Sequence, residues 1–220
     1  MLKLLVVEDH ALVREGLLGL LSQLDDKAAV EGVGDFAAAL RFLAAEEDVD
    51  LLLLDLAMPG IDGFAGLDIL RKDFPALPVV VVSAFDDPLT VARAMNLGAS
   101  GFIPKAYSGE ALLAAVREVL DGNIFMPAES TSARLDSVAP TPPSPPPILP
   151  ADLGLTDRQS QVLALMVNGL SNRDIADQLE LTEGTVKIHA TAIFKTLGVS
   201  SRTQALVLVS RHGVDFSMAF

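Results

Sequence analysis

No cysteine and no tryptophan occur in the 220 residues, and tyrosine occurs once. Without thiols, disulfides and thiolate-bound metals are excluded, and the composition fits an intracellular setting. Long apolar runs are also missing. The opening MLKLLVVEDH turns acidic after a short apolar stretch and has no cleavage pattern. No segment approaches the roughly 18 apolar residues of a membrane span. The expectation is a cytoplasmic chain with no membrane contact. Basic side chains are scarce: 16 against 29 acidic ones leave a net charge of −13. That excludes a promiscuous nucleic-acid binder.

The charge is unevenly placed. Residues 1–127 hold 9 basic and 20 acidic side chains, whereas 150–220 hold 6 and 7. Any work on DNA therefore falls to the C-terminal part. Between the two lies AESTSARLDSVAPTPPSPPPIL (128–149), with 6 of the 13 prolines and Pro150 directly after it. Such a composition marks a linker. In polyproline II, at ~3.1 Å per residue, it could reach roughly 60–70 Å. The expected division is a domain at 1–127, a Pro-rich linker at 128–150 and a second domain at 151–220.

Residues 1–127 alternate between apolar runs and amphipathic stretches. KLLVV (3–7), AAVEGVG (28–34), DLLLL (50–54), PVVVV (78–82) and GFIP (101–104) read as strands. Helical patterns fall at 10–24, 35–47, 63–73, 91–98 and 108–122, with His10 opening the first. Near-continuous apolar strands are what a parallel sheet covered on both faces demands. The expected fold is a flavodoxin-like, doubly wound, five-stranded α/β domain.

Such sheets gather their functional residues at the carboxyl ends of the strands. Here those ends carry Glu8 and Asp9, then Asp55 before the loop MPGIDG, then Ser83, then Lys105. Three carboxylates in one crevice, at ~5 Å and an effective dielectric of ~20, repel by roughly 3 kcal/mol per pair. A hard divalent cation such as Mg²⁺ relieves that repulsion, and Lys105 supplies further positive charge. A carboxylate attacking an anionic phosphoryl group needs this kind of compensation.

Glu8-Asp9, Asp55 with MPGIDG, Ser83-Ala84 and Lys105 together resemble the bacterial response-regulator receiver domain over residues 1–122. The resemblance implies that Asp55 takes a phosphoryl group from the phosphohistidine of a sensor histidine kinase. It implies that Asp9, Asp55 and the backbone carbonyl of Ala57 bind Mg²⁺, with Glu8 acting largely through water. Ser83 would hydrogen-bond the phosphoryl oxygen, Lys105 would pair with its charge, and Phe102 would be the aromatic that repositions on activation.

Residues 150–220 carry no strand pattern. Helical stretches at 155–169, 171–179, 180–198 and 200–213 have caps in Thr156, Ser171 and Thr182 and a stop at Gly198, the ingredients of a helix-turn-helix. In the third, Val186, Ala190, Ile193 and Leu197 form an inward stripe. Lys187, Ile188, Thr191 and Lys195 fall opposite, where an isoleucine suits a thymine methyl and lysines reach phosphate or guanine. LTDRQSQVL, GLSNRDIADQL, T-x-G-T-V-K-x-H and LGVSSRTQA resemble the LuxR-type helix-turn-helix of the NarL/FixJ subgroup, over about 155–212. The resemblance implies that Lys187, Ile188 and Thr191 read bases in double-stranded DNA.

Together these features predict a two-component transcriptional regulator, a homodimer when active, with no turnover on a metabolite. A regulator that ignores phosphorylation and uses the receiver as an interaction platform is the alternative. A hydrolase with an Asp nucleophile and Mg²⁺ would share the chemistry, but it lacks a substrate domain here.

Overall fold

The computed structural model describes residues 1–46, 48–127, 153–212, 214 and 216. The expected linker at 128–150 lies outside them. In the N-terminal half, strands β1 (Lys3–Val7), β2 (Ala29–Val33), β3 (Leu51–Asp55), β4 (Val79–Ser83) and β5 (Gly101–Pro104) form one sheet in the order β2-β1-β3-β4-β5. Every pairing is parallel. Helices α1 (Ala11–Leu21), α2 (Phe36–Ala45), α3 (Gly63–Asp73), α4 (Pro88–Asn96) and α5 (Gly109–Leu120) make the crossovers. This is the doubly wound arrangement that the apolar runs predicted.

Alternation along each strand divides the interior into two layers. Leu5, Val7, Leu52, Leu54, Val79, Val81 and Phe102 face α2, α3 and α4. Leu4, Val6, Leu51, Leu53, Val80, Val82 and Ile103 face α1 and α5. Each fully buried Leu or Val contributes roughly 1.5–3 kcal/mol of transfer free energy. With β1, β3 and β4 apolar on both faces, a one-residue slip would still bury apolar groups. It would move the polar ends, however: Asp55 pairs with Val82 and Ser83 with Pro104, so the register places these two at one edge.

One helix starts earlier than its hydrophobic pattern suggests. α4 begins at Pro88, three residues before the expected 91, because Asp87 caps it by accepting from the Leu89 and Thr90 amides. Proline at the first helical position has its ring already set at a helical angle.

Among the described residues the C-terminal half has four helices around one core: α6 (Asp157–Val167), α7 (Asn172–Leu179), α8 (Glu183–Leu197) and α9 (Arg202–His212). Thr156 with Gln159 and Ser171 with Asp174 form reciprocal capping boxes, each satisfying two amides that a helix start leaves without partners. Gly198 ends α8 in the left-handed conformation, at φ 66°.

Candidate phosphoacceptor pocket and DNA-facing helix

Each pocket residue sits at the end of an apolar strand or just beyond it. Glu8 and Asp9 follow β1, Asp55 and Ser83 end β3 and β4, and Lys105 follows β5. Asp55 is only 2% exposed, deeper than the strand-end position suggested, so its charge needs partners. Its Oδ1 accepts from the Ala57 amide at 3.0 Å, and its Oδ2 accepts from Lys105 Nζ at 2.9 Å. Lys105 Nζ also lies 2.7 Å from buried Glu8 Oε2, an ion contact angled too poorly to satisfy that oxygen with a directed hydrogen bond. Burial works against the Lys105 ammonium. The contacts with Glu8 and Asp55 outweigh it and raise its pKa above the ordinary lysine value.

The loop after Asp55 explains the MPGIDG sequence. Asp62 caps α3, and Gly63 opens it against the backbone of Leu56. A Cβ on Gly63 would lie 2.4 Å from Leu56 Cα, so only glycine allows the close approach that folds the loop beside Asp55. Ser83 is buried, and its Oγ accepts from the Phe85 amide at 3.0 Å. A cavity of about 250 Å³ beside it is lined by Leu56, Ala57, Phe64, Phe85, Asp87 and Thr90. Phe102 lies fully inside the α2–α3–α4 layer.

Two participants carry no clear sequence signal. Arg14 Nη1 donates to the carbonyls of Glu8, at 2.7 Å, and Asp9, at 3.3 Å, and so fixes the backbone under the acids. His10 takes the first cap position of α1, yet its side chain makes no cap hydrogen bond. Its Nδ1 instead lies 3.1 Å from both Glu8 Oε1 and Asp9 Oδ1. Ligand atoms of Glu8, Asp9, His10 and Asp55 all fall within 4.8 Å of one another. Three converging carboxylates match the donor preference of a hard divalent cation such as Mg²⁺.

On α8, Val186, Ala190 and Ile193 are buried as expected, with Phe194 added to the stripe. Ile188 is 69% exposed, and Thr191 and Lys195 also face solvent. Lys187 departs from the expected free face. Its ammonium reaches the receiver side at the foot of β3, 3.3 Å from the Val49 carbonyl and 3.7 Å from Asp50 Oδ1. Further contacts join the halves: Thr203 Oγ1 donates to the Ala99 carbonyl at 3.0 Å, and Gln204 Nε2 donates to that of Asn96 at 3.0 Å.

An acidic crevice at the sheet edge, joined to a capped helical reader, defines a regulator with separate input and output parts. Residues 4–117 match the response regulator receiver domain, and 153–209 match the bacterial regulatory proteins of the luxR family. The chain is 37% identical to the glycerol metabolism activator of Pseudomonas putida, over 99% of this chain and 98% of that protein. It is 33% identical to the transcriptional regulatory protein LnrK of Bacillus subtilis, over 98% and 99%. A LuxR family DNA-binding response regulator from Silicibacter pomeroyi superposes with a TM-score of 0.53 at 36% identity, covering 59% of this chain and 99% of that one. The chain belongs to the response regulators that carry a receiver domain and a LuxR-type DNA-binding domain, and it controls transcription. Among the described residues no helix is long and apolar enough to cross a membrane.

Proposed function

We propose that Asp55 accepts a phosphoryl group from the phosphohistidine of a sensor kinase and that this modification controls DNA binding by α8. The single observation that carries the reading is the gathering of Glu8, Asp9 and Asp55 in one crevice, with Lys105 in contact with Glu8 and Asp55. An Asp55 carboxylate oxygen attacks phosphorus, the N–P bond breaks, and the kinase imidazole leaves. Asp9, Asp55 and the Ala57 carbonyl would hold Mg²⁺, with Glu8 acting through water, and the ion would supply charge compensation. Lys105 pairs with the phosphoryl group, Ser83 donates to one of its oxygens, and Phe102 responds as the pocket rearranges. The protein itself turns over no metabolite.

Residues 1–127 then form the input domain and 151–220 the output domain, tethered by 128–150, and the protein acts in the cytoplasm. Lys187, Ile188, Thr191 and Lys195 face double-stranded DNA. Because this half carries 6 basic against 7 acidic side chains, a homodimer on paired half-sites compensates for few phosphate contacts. The engagement of Lys187 by Val49 and Asp50 favours communication between the halves over a receiver that serves only as a platform.

Labelling with acetyl phosphate tests the assignment. Wild-type protein should incorporate phosphate only with Mg²⁺ present, and Asp55→Asn should abolish it. Undiminished incorporation by Asp55→Asn would overturn the site.

A further inference from the structure

Two arginines at the junction of the halves carry charge that no carboxylate among the described residues neutralises. Arg71, in the last turn of α3, is 2% exposed and donates Nη2 to the Leu77 carbonyl at 2.5 Å. Arg202, which opens α9, donates Nη2 to the carbonyls of Met166 and Leu170, at 2.9 and 2.7 Å. In both side chains Nε is buried and has no hydrogen-bond partner among the described residues. Neither guanidinium makes an ion pair among those residues. The negative end of α3 offsets part of the Arg71 charge, but carbonyls solvate a guanidinium without cancelling it. Burial accordingly pushes Arg71 down to about 9 and Arg202 to about 10.

Both arginines line one cavity of about 750 Å³, within the roughly 300–1,000 Å³ usual for small-molecule sites. Arg71 Cδ and the side chain of Ser201, the residue before Arg202, crowd the same face of Gly98, within 3.2 Å of where a Cβ would stand. Leu24, Leu120 and Phe194 add an apolar wall. Six acidic side chains line the cavity too, and none is in ion contact with either arginine. Asp50 accepts from the Lys3 amide, and Asp174 accepts from the amide and hydroxyl of Ser171. Those acids repel a polyanion, whereas a single oxyanion gains the two guanidinium groups.

We propose that this cavity binds a small metabolite bearing one oxyanion, a phosphate monoester or a carboxylate, held by Arg71 of the receiver half and Arg202 of the output half. The site is distinct from the phosphoacceptor crevice. Each half supplies one arginine, so the ligand binds only where the halves are joined. It therefore stabilises that arrangement as its concentration rises above its Kd.

Titration of the full chain with inorganic phosphate and, separately, with acetate provides the test, chloride holding the ionic strength constant. The ¹⁵N–¹H resonances of Arg71 and Arg202 Nε should shift saturably with at least one of the two anions, and the tighter one identifies the oxyanion. Arg71→Met, followed at the Arg202 resonance, should lose at least about tenfold in affinity, as removal of a charged hydrogen-bonding partner does. Arg202→Met, followed at Arg71, should lose as much, and circular dichroism identifies the variants that keep the fold. A wild type with no saturable shift for either anion overturns the proposal. So does a folded variant of either arginine that binds as tightly as the wild type.

Discussion

At the scale of single residues, the crevice is a concentration of like charge that folding tolerates at a cost. Glu8 and Asp55 are buried, Asp9 lies beside them, and Lys105 is the cation in contact with the first two. Asp9→Asn should therefore raise the stability of the metal-free protein by about 1 kcal/mol or more, since it removes one repulsive partner from the group. Mg²⁺ should raise the Tm of the wild type and have much less effect on that variant, which differential scanning fluorimetry would show. Lys105 sets a pH dependence of known sign. Its folded pKa is raised, so its contribution is fully present below the unfolded value of 10.5 and is lost as pH climbs through the higher folded value. Stability measured from pH 7 to 9 should therefore show no loss attributable to this group. The acids, the serine and the lysine were all legible in the sequence because each ends an apolar run. Arg14 and His10 were not, because an amphipathic helix start gives no sign of which polar side chains fold back over the preceding strand.

At the scale of elements, caps and close approaches decide the boundaries. β1, β3 and β4 could be read directly, since β-branched and leucine runs suit strands covered on both faces. The start of α4 could not be read from hydrophobic spacing, because Pro88, Leu89 and Thr90 add no inward stripe and only the Asp87 side chain declares the helix open. Gln159 closes a capping box with Thr156, at the T-x-x-Q spacing that such a box requires. Replacing Thr156 by alanine should cost about 1 kcal/mol, read as a shift in the denaturation midpoint. Gly63→Ala should cost more, roughly 3 kcal/mol, because the new methyl group meets backbone atoms of Leu56 that cannot yield without moving the loop that holds Asp55. The same substitution should slow phosphate incorporation, whereas Thr156→Ala should not.

At the scale of the whole molecule, the sequence spoke for two parts and was silent on their contact. Spacing placed Lys187 on an outward face of α8, but the surface that meets that face belongs to residues 138 positions earlier. Arg71 sits at this junction, where it lines a cavity of about 750 Å³ together with Asp50, Lys187 and Arg202. Burial pushes its guanidinium down to about 9, which still leaves it charged at pH 7, and its Nε has no hydrogen-bond partner among the described residues. Enclosing that charge opposes the contact, so Arg71→Met, of similar length and without charge, should hold the halves together more firmly. Small-angle scattering should show a more compact protein. Asp50→Asn should act in the opposite direction. It keeps an acceptor for the Lys3 amide but removes the charge facing Lys187, so unphosphorylated protein should bind its promoter several-fold more tightly in a mobility-shift assay.

β3 has a consequence at this scale. Asp50 stands immediately before its first residue and Asp55 is its last, so five steps of ~3.3 Å separate the two by about 17 Å. Over that distance, at an effective dielectric of ~20, each unit of charge on a newly attached phosphoryl group is worth only about 1 kcal/mol at Lys187. What does arrive has the wrong polarity for release: added anionic charge draws the ammonium inward. On the proposed function, release of α8 would therefore come from displaced atoms along the α4 and β5 flank, where the carbonyls of Asn96 and Ala99 accept from the output half, rather than from electrostatic push. Ionic strength should then leave the size of the phosphorylation response nearly constant, even as it weakens DNA binding in both states.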